Sequence, residues 1–269
     1  MDLKRFSLEG KVAVVTGGSR GIGRATALGF AEAGADVAVA SRKLPELEKV
    51  ADEIRAMGRK ALPVAAHVGR MEDILELVKT VKSEFGKIDI LVNNAGTSPT
   101  IASPLDAEER LWDSIMNLNL KGVYFLSQTI ARVMREQGGG KIINVSSIDG
   151  CVPVSGAGIY SISKAAVIMI TKSMALELAP YNIRVNCIAP GTVSTRILDS
   201  RWFNVTEEQK NQGKAEIARN VPLQYIADPD EMVGTMIFLA SEASNYVTGE
   251  TIIVDGGILL KQARESSSS

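Results

Sequence analysis

Short apolar runs rich in Val, Ile and Ala alternate along this chain with longer stretches whose apolar residues recur every three to four positions. The short runs predict strands at Val12 to Thr16, Asp36 to Ala40, Ala61 to Ala65, Ile88 to Val92, Lys141 to Val145, Arg184 to Ile188 and Thr251 to Val254. The longer stretches predict helices at Gly21 to Ala33, Leu44 to Met57, Glu72 to Phe85, Ala107 to Glu136, Ile159 to Leu178 and Asp230 to Leu239. Regular alternation of this kind means βαβ units on a parallel sheet. The strands are apolar on both faces, so helices must cover both sides. The expected fold class is α/β, with a doubly wound, mostly seven-stranded parallel sheet.

Residues 1–269 read as one domain. Within it, 1–9 form an N-terminal arm, about 196–220 a polar helical insert suited to a substrate lid, and 261–269 a flexible tail. Thirty Lys plus Arg face 31 Asp plus Glu, a net charge of −1, which gives no field to draw nucleic acid or a membrane surface. Two cysteines, Cys151 and Cys187, make no disulfide framework and suit a reducing compartment. Both sit in apolar surroundings and read as buried thiols. The first residues lack an apolar signal core, and no charge-free stretch is long enough to span a bilayer, so the expected location is cytoplasmic. No clustered set of His, Cys and carboxylates suggests a metal site.

Candidate chemistry begins at Thr16-Gly17-Gly18-Ser19-Arg20-Gly21-Ile22-Gly23, between a strand and a helix. Glycines there let the backbone turn and approach a pyrophosphate, while the helix start offers free N–H groups. The second strand ends in Ala40-Ser41-Arg42-Lys43, with no carboxylate to take a ribose 2′-hydroxyl. Arg42 can instead pair with a 2′-phosphate, Ser41 can hydrogen-bond to it, and Arg20 can flank it. The expected coenzyme is NADP(H), with NAD(H) as the second choice.

Tyr160 and Lys164 are one helical turn apart and share a face. An ammonium near a phenol favours the phenolate, so the tyrosine can exchange a proton with a carbonyl or alcohol oxygen near neutral pH. Ser147, thirteen residues before Tyr160, can hydrogen-bond to the same oxygen.

These motifs together resemble the classical short-chain dehydrogenase/reductase family across nearly the whole chain, and an NADP(H)-preferring carbonyl or 3-oxoacyl reductase within it. The resemblance rests on Thr16 to Gly23, Asn93-Asn94-Ala95-Gly96, Asn119, Ser147, the Tyr160/Lys164 pair and Pro190-Gly191. It implies a single-domain Rossmann fold and a catalytic set of Asn119, Ser147, Tyr160 and Lys164. It also implies a coenzyme groove of Gly17, Ser19, Arg20, Gly21, Ile22, Gly23, Ser41, Arg42, His67, Val68, Asn94, Ala95, Gly96, Tyr160, Lys164, Pro190, Gly191, Val193 and Thr195. By the same resemblance, Lys164 holds the nicotinamide ribose, Asn119 holds a water on a proton path to Lys164, and Thr195 touches the carboxamide. The assembly it implies is a homotetramer, with a homodimer as the alternative.

His67 departs from the family pattern. It stands where an aspartate usually holds the adenine amino group, and it is the only histidine. The expected partner is a small-molecule carbonyl or alcohol. Ile148, Val152, Val154 and Gly156 are candidates near the carbonyl, and Thr192, Ile197, Leu198, Trp202 and Phe203 are candidates for the lid. The runner-up function is an NAD(P)+-dependent alcohol or sugar dehydrogenase. A non-catalytic alternative is a nucleotide-binding regulatory or scaffolding protein.

Overall fold

The computed structural model describes residues 3–98, 100–199 and 205–265. The seven strands are β1 (Val12–Thr16), β2 (Asp36–Ser41), β3 (Ala61–Ala65), β4 (Ile90–Asn93), β5 (Gly140–Val145), β6 (Ile183–Pro190) and β7 (Thr251–Val254). They form one sheet in the order β3-β2-β1-β4-β5-β6-β7, with every neighbouring pair parallel. The chain runs outward from β1 to β3 and then returns to β4. A crevice therefore opens between the C-terminal ends of β1 and β4, where α/β folds take their ligands.

The covering helices are α1 (Gly21–Glu32), α2 (Leu44–Ala56), α3 (Met71–Phe85), α4 (Glu109–Met116), α5 (Gly122–Glu136), α6 (Gly158–Leu178), α7 (Arg196–Asp199), α8 (Glu207–Asn220), α9 (Val233–Ala240) and α10 (Ile258–Glu265). Strand residues alternate between two separate cores. Ala13, Val15, Val37 and Val39 pack with Phe30 of α1, Leu47 of α2 and Met236 of α9. Val12, Val14, Ala38 and Ala40 pack with Leu77 of α3, Ile130 of α5 and Met174 of α6. The period of two along each strand puts successive residues on opposite faces, which is why both parities had to be apolar. This is a single-domain Rossmann fold.

The helix expected from Ala107 to Glu136 is broken. Between α4 and α5, Asn117–Lys121 forms a π-helical turn. That widened turn carries Asn119 into the interior, while Asn117 stays exposed. Strand β4 begins at Ile90 rather than Ile88. The Gln137 side chain binds both backbone groups of Ile88, donating to its carbonyl at 2.7 Å and accepting from its N–H at 3.2 Å.

Helix α6 and the turn after it, Gly158–Tyr181, are long and apolar enough to cross a membrane by length and composition. Here α6 lies along β6 and buries Ser163, Lys164, Val167 and Thr171. Cys187 is buried as expected. Cys151 is exposed, because it falls on the turn that follows Ile148–Gly150 rather than on the sheet. Both thiols are free. Helix α8 starts with a capping box in which Thr206 and Gln209 bond each other's backbone N–H. Helix α10 covers the first residues of the segment read as a tail.

Candidate active site

Thr16 closes the crevice between β1 and β4. Its hydroxyl donates to the Val92 carbonyl at 3.1 Å and accepts from the Asn94 and Ala95 N–H groups at 3.0 and 3.1 Å. The Asn94 amide answers by donating to the Thr16 carbonyl at 2.9 Å. The last side chain of β1 and the first side chain after β4 thus fix the glycine loop against the segment after β4. The approach is so close that a Cβ on Gly23 would overlap the Gly17 carbonyl and the Asn94 amide. Gly17 and Gly21 take φ of +65° and +53°, a region that favours glycine. Gly18, beside them, donates its N–H to the Ala40 carbonyl at the end of β2.

Arg20 precedes α1, and no side chain caps the helix there. The first-turn N–H groups, at Gly21, Ile22 and Gly23, are left for an anion over the loop. Ser19 and Arg20 form the rim. Thr195 approaches from the opposite wall, so that a Cβ on Gly21 would stand 3.3 Å from its methyl group. Three arginines gather here: Arg20, Arg42 beyond Ser41, and Arg196 directly after Thr195. Burial, then the charges of Arg196 and Arg42, lower the proton affinity of Arg20, while Glu46 partly offsets them. None of the three closes an ion pair among the described residues. Unpaired cations beside an uncapped helix start suit a ligand carrying several phosphates, so the residues present fit a dinucleotide coenzyme.

The second half of the site lies over β4, β5 and β6. Lys164 is buried, and its ammonium donates to the Val145 carbonyl at 2.8 Å. It lies 5.6 Å from the centre of the Tyr160 ring. Burial pushes Lys164 down to about 8, with Cys187 and Asp149 acting in the opposite sense. Gly96 brings the neighbouring groups together: a Cβ there would stand 3.5 Å from both Lys164 Nζ and Asn119 Oδ1. The Asn119 side chain is fully engaged. Its oxygen accepts from the Thr97 N–H at 2.8 Å, and its amide donates to the Thr97 carbonyl at 3.0 Å and to Ser163 Oγ at 3.2 Å. Ser163 in turn donates to the Tyr160 carbonyl at 2.7 Å.

The two adjacent serines have different places. Ser146 is buried and donates to the Lys164 carbonyl at 2.8 Å, which pins β5 to α6. Ser147 is half-buried, and its oxygen accepts from the Asp149 N–H at 3.1 Å, so its own proton remains to be donated. On the far wall, Gly191 donates to the Val254 carbonyl at 2.9 Å, next to Pro190 at the end of β6. Val193 is buried and bridges to Ala227.

Among the candidates for substrate contact, Ile148 and Leu198 are buried, Val152, Val154 and Thr192 half-buried, and Ile197 exposed. Trp202 and Phe203 lie outside the described residues. The sequence reading missed Arg196, Ser163 and Ile101. Ile101 covers Gly156, whose carbonyl accepts from the Ala102 N–H at 2.9 Å, so this exposed apolar residue joins the Val154–Gly156 wall. Arg196 had a signal, a third arginine directly after a motif threonine. Ile101 had none, because its partner is far along the chain.

A parallel sheet with a phosphate cradle at its switch point, and a buried ammonium one turn from a tyrosine beyond it, defines an NAD(P)(H)-binding oxidoreductase. The family model described as Enoyl-(Acyl carrier protein) reductase matches residues 17–259. The chain is 38% identical over 254 residues to dehydrogenase/reductase SDR family member 4 of Oryctolagus cuniculus, covering 94% of this chain and 95% of that one. It is 42% identical over 267 residues to 2-dehydro-3-deoxy-D-gluconate 5-dehydrogenase of Escherichia coli K12, covering 97% and 100%. The crystal structure of a gluconate 5-dehydrogenase from Burkholderia cenocepacia J2315, in complex with NADP and tartrate, superposes with a TM-score of 0.88 at 34% identity, covering 96% and 98%. The chain belongs to the short-chain dehydrogenase/reductase family and carries that family's carbonyl/alcohol redox chemistry.

Proposed function

We propose that this chain is an NADP(H)-dependent oxidoreductase that interconverts a carbonyl and a secondary alcohol, with Tyr160 as general acid and base. The observation that carries this reading is the buried Lys164 ammonium beside the Tyr160 ring, held by Val145 and close to Gly96. When bound, the nicotinamide coenzyme supplies or accepts the hydride. The chain's own residues handle the oxygen. Tyr160 donates a proton to it during reduction and takes one during oxidation, while Ser147 donates a hydrogen bond that strengthens as charge develops. Lys164 provides the positive charge that favours the phenolate, and a Lys164 that releases its proton near 8 can also pass one on. With its side chain used on Thr97 and Ser163, Asn119 acts by holding the β4–α4 segment on α6.

Arg20 and Arg42 support NADP(H) over NAD(H), since a 2′-phosphate adds the charge they lack. For the substrate, the likeness to 2-dehydro-3-deoxy-D-gluconate 5-dehydrogenase and to a gluconate 5-dehydrogenase favours a second reading, a sugar-acid dehydrogenase. The segment from 196 to 220 serves as the lid in either case. Ile162, Met169 and Leu176 form an exposed apolar stripe along α6 at seven-residue spacing, which supports assembly through that helix into a homotetramer. The free thiols and balanced charge support a cytoplasmic enzyme.

The test is a turnover screen with NADPH against 3-oxoacyl thioesters, diketones, aromatic aldehydes and oxo sugar acids, with the alcohols run in reverse. Turnover of one class that Tyr160→Phe abolishes supports the reading. Turnover that survives in Tyr160→Phe removes the assigned acid.

A further inference from the structure

The end of the sheet opposite the glycine loop holds a cavity of about 460 Å³. Its charged lining comes from the starts of four neighbouring strands and from the turn after α9: Lys11 before β1, Lys87 and Asp89 before β4, Lys141 in β5, Arg184 in β6, and Glu242. Ligands of α/β folds bind at the other end of the strands, so the coenzyme crevice does not account for this cavity.

Strand register puts three of the cations on one face. Lys141 pairs with Ile90 of β4 on one side and with Arg184 of β6 on the other. Ile90 in turn pairs with Ala13, two residues beyond Lys11. Side chains alternate along a strand, so Lys11, Lys141 and Arg184 all project from the same face. Neighbouring strands lie about 4.8 Å apart, and like charges at paired positions repel.

Nothing bound to these cations neutralises them. Lys141 donates to the Ser241 carbonyl at 2.6 Å and to the Ser244 hydroxyl at 2.9 Å. Arg184 donates to the Asn245 carbonyl at 3.0 Å and to the Asn182 carbonyl at 3.1 Å. All four acceptors are neutral. Among the described residues, Lys11, Lys141 and Arg184 close no ion pair. Asp89 is taken by Lys87 at 2.9 Å and by the Val12 N–H at 2.8 Å. Burial, then the charge of Arg184, push Lys141 down to about 8, with Glu242 opposing them and Lys11 adding to them. The whole chain carries a net charge of −1, so this excess is local.

We propose that this cavity is a second ligand site, separate from the coenzyme crevice, and that it takes a compact multivalent oxyanion, a phosphate compound or a polycarboxylate. With Lys87 and Asp89 cancelling, three cations face the single carboxylate of Glu242. A ligand with two or more negative charges balances that excess and turns repulsion among the cations into attraction to each. The volume falls within the range of about 300–1,000 Å³ usual for small-molecule sites. This inference does not rest on the proposed activity.

The experiment titrates pyrophosphate and, separately, citrate into the full chain by calorimetry at about pH 7, where Lys141 keeps its proton. NADP+ is kept in excess to fill the crevice. One saturable site is expected, and the tighter probe tells a phosphate ligand from a carboxylate one. Lys11→Gln and Arg184→Gln should each weaken binding by about tenfold, the size of one hydrogen bond to a charged group. Lys11 closes no ion pair, so Lys11→Gln decides the matter should Arg184→Gln fail to fold. Arg20→Ala should leave the affinity unchanged, since Arg20 stands at the other end of the strands. Absence of saturable binding, or binding that Arg20→Ala weakens and Lys11→Gln does not, overturns the inference.

Discussion

The Lys164 ammonium lies 5.6 Å from the centre of the Tyr160 ring and donates to the Val145 carbonyl of β5 at 2.8 Å. The strand therefore fixes the cation, and α6 carries the phenol past it. Because the amine is buried, its charge acts on the phenol with little solvent screening. The same burial makes the charge costly to keep.

Tyr160→Phe removes the hydroxyl and leaves the ring in place. Turnover should fall by about 10²–10⁴-fold, the usual loss of a general acid. Coenzyme affinity should stay within about threefold, since the ring and Lys164 remain. Steady-state rates paired with fluorescence titration separate the two effects.

Lys164→Met tests the cost of burial through pH. Burial pushes the amine down to about 8 in the folded chain, below the ordinary lysine value of 10.5. Between those values the unfolded chain binds more protons, so wild-type stability rises with pH across that window. Below it both states hold the proton, and the full cost is present. Relative to wild type, Lys164→Met should therefore be favoured most at about pH 7 and lose that advantage toward pH 10. Urea unfolding of the coenzyme-free proteins at the two ends reads this directly. A pH-independent difference would mean the ammonium is not penalised by burial.

The arginine trio separates the phosphates. Arg42→Ala should weaken NADPH by about tenfold or more and hardly change NADH, because it loses charge-assisted bonds only to the 2′-phosphate. Arg196→Gln should weaken both coenzymes by a similar factor, since Arg196 adjoins the Thr195 that faces Gly21. Equal loss of both coenzymes in Arg42→Ala would place its contact on the diphosphate instead.

Thr16→Val keeps the shape of a buried side chain and deletes the hydroxyl that serves Val92, Asn94 and Ala95. Two backbone N–H groups lose their acceptor, at a cost of about 2–4 kcal/mol. Denaturant unfolding should show that loss, and coenzyme affinity should fall with it as the glycine loop loosens from β4. A change below about 0.5 kcal/mol would mean the loop is held elsewhere.

All seven strands were legible from apolar runs, and β1, β3 and β7 match residue for residue. The glycine loop and the Tyr160/Lys164 pair were legible because their chemistry is local: a strand-to-helix turn in one case and one helical turn in the other. The break at Asn117–Lys121 was not, since the periodicity continues through it. What forces the break is the loop after β3. A Cβ on Gly122 would overlap the Val68 carbonyl, and Asn119 must turn inward to reach Thr97. In the chain Ser147 stood apart from Ser146 only by its offset from Tyr160, and the bond from Ser146 to the Lys164 carbonyl supplies the physical difference between them.

By itself, the order of residues determined the alternation of strand and helix, the apolar faces and the local motifs, since each depends on neighbours within a turn or a pleat. Tertiary structure alone decided how the parts meet: Arg196 beside Arg20, Ile101 over Gly156, the His67 ring against Gly69, and the amine of Lys164 on β5. Those relations depend on distances between segments remote in the chain. Strand order and packing set such distances, and no local pattern encodes them.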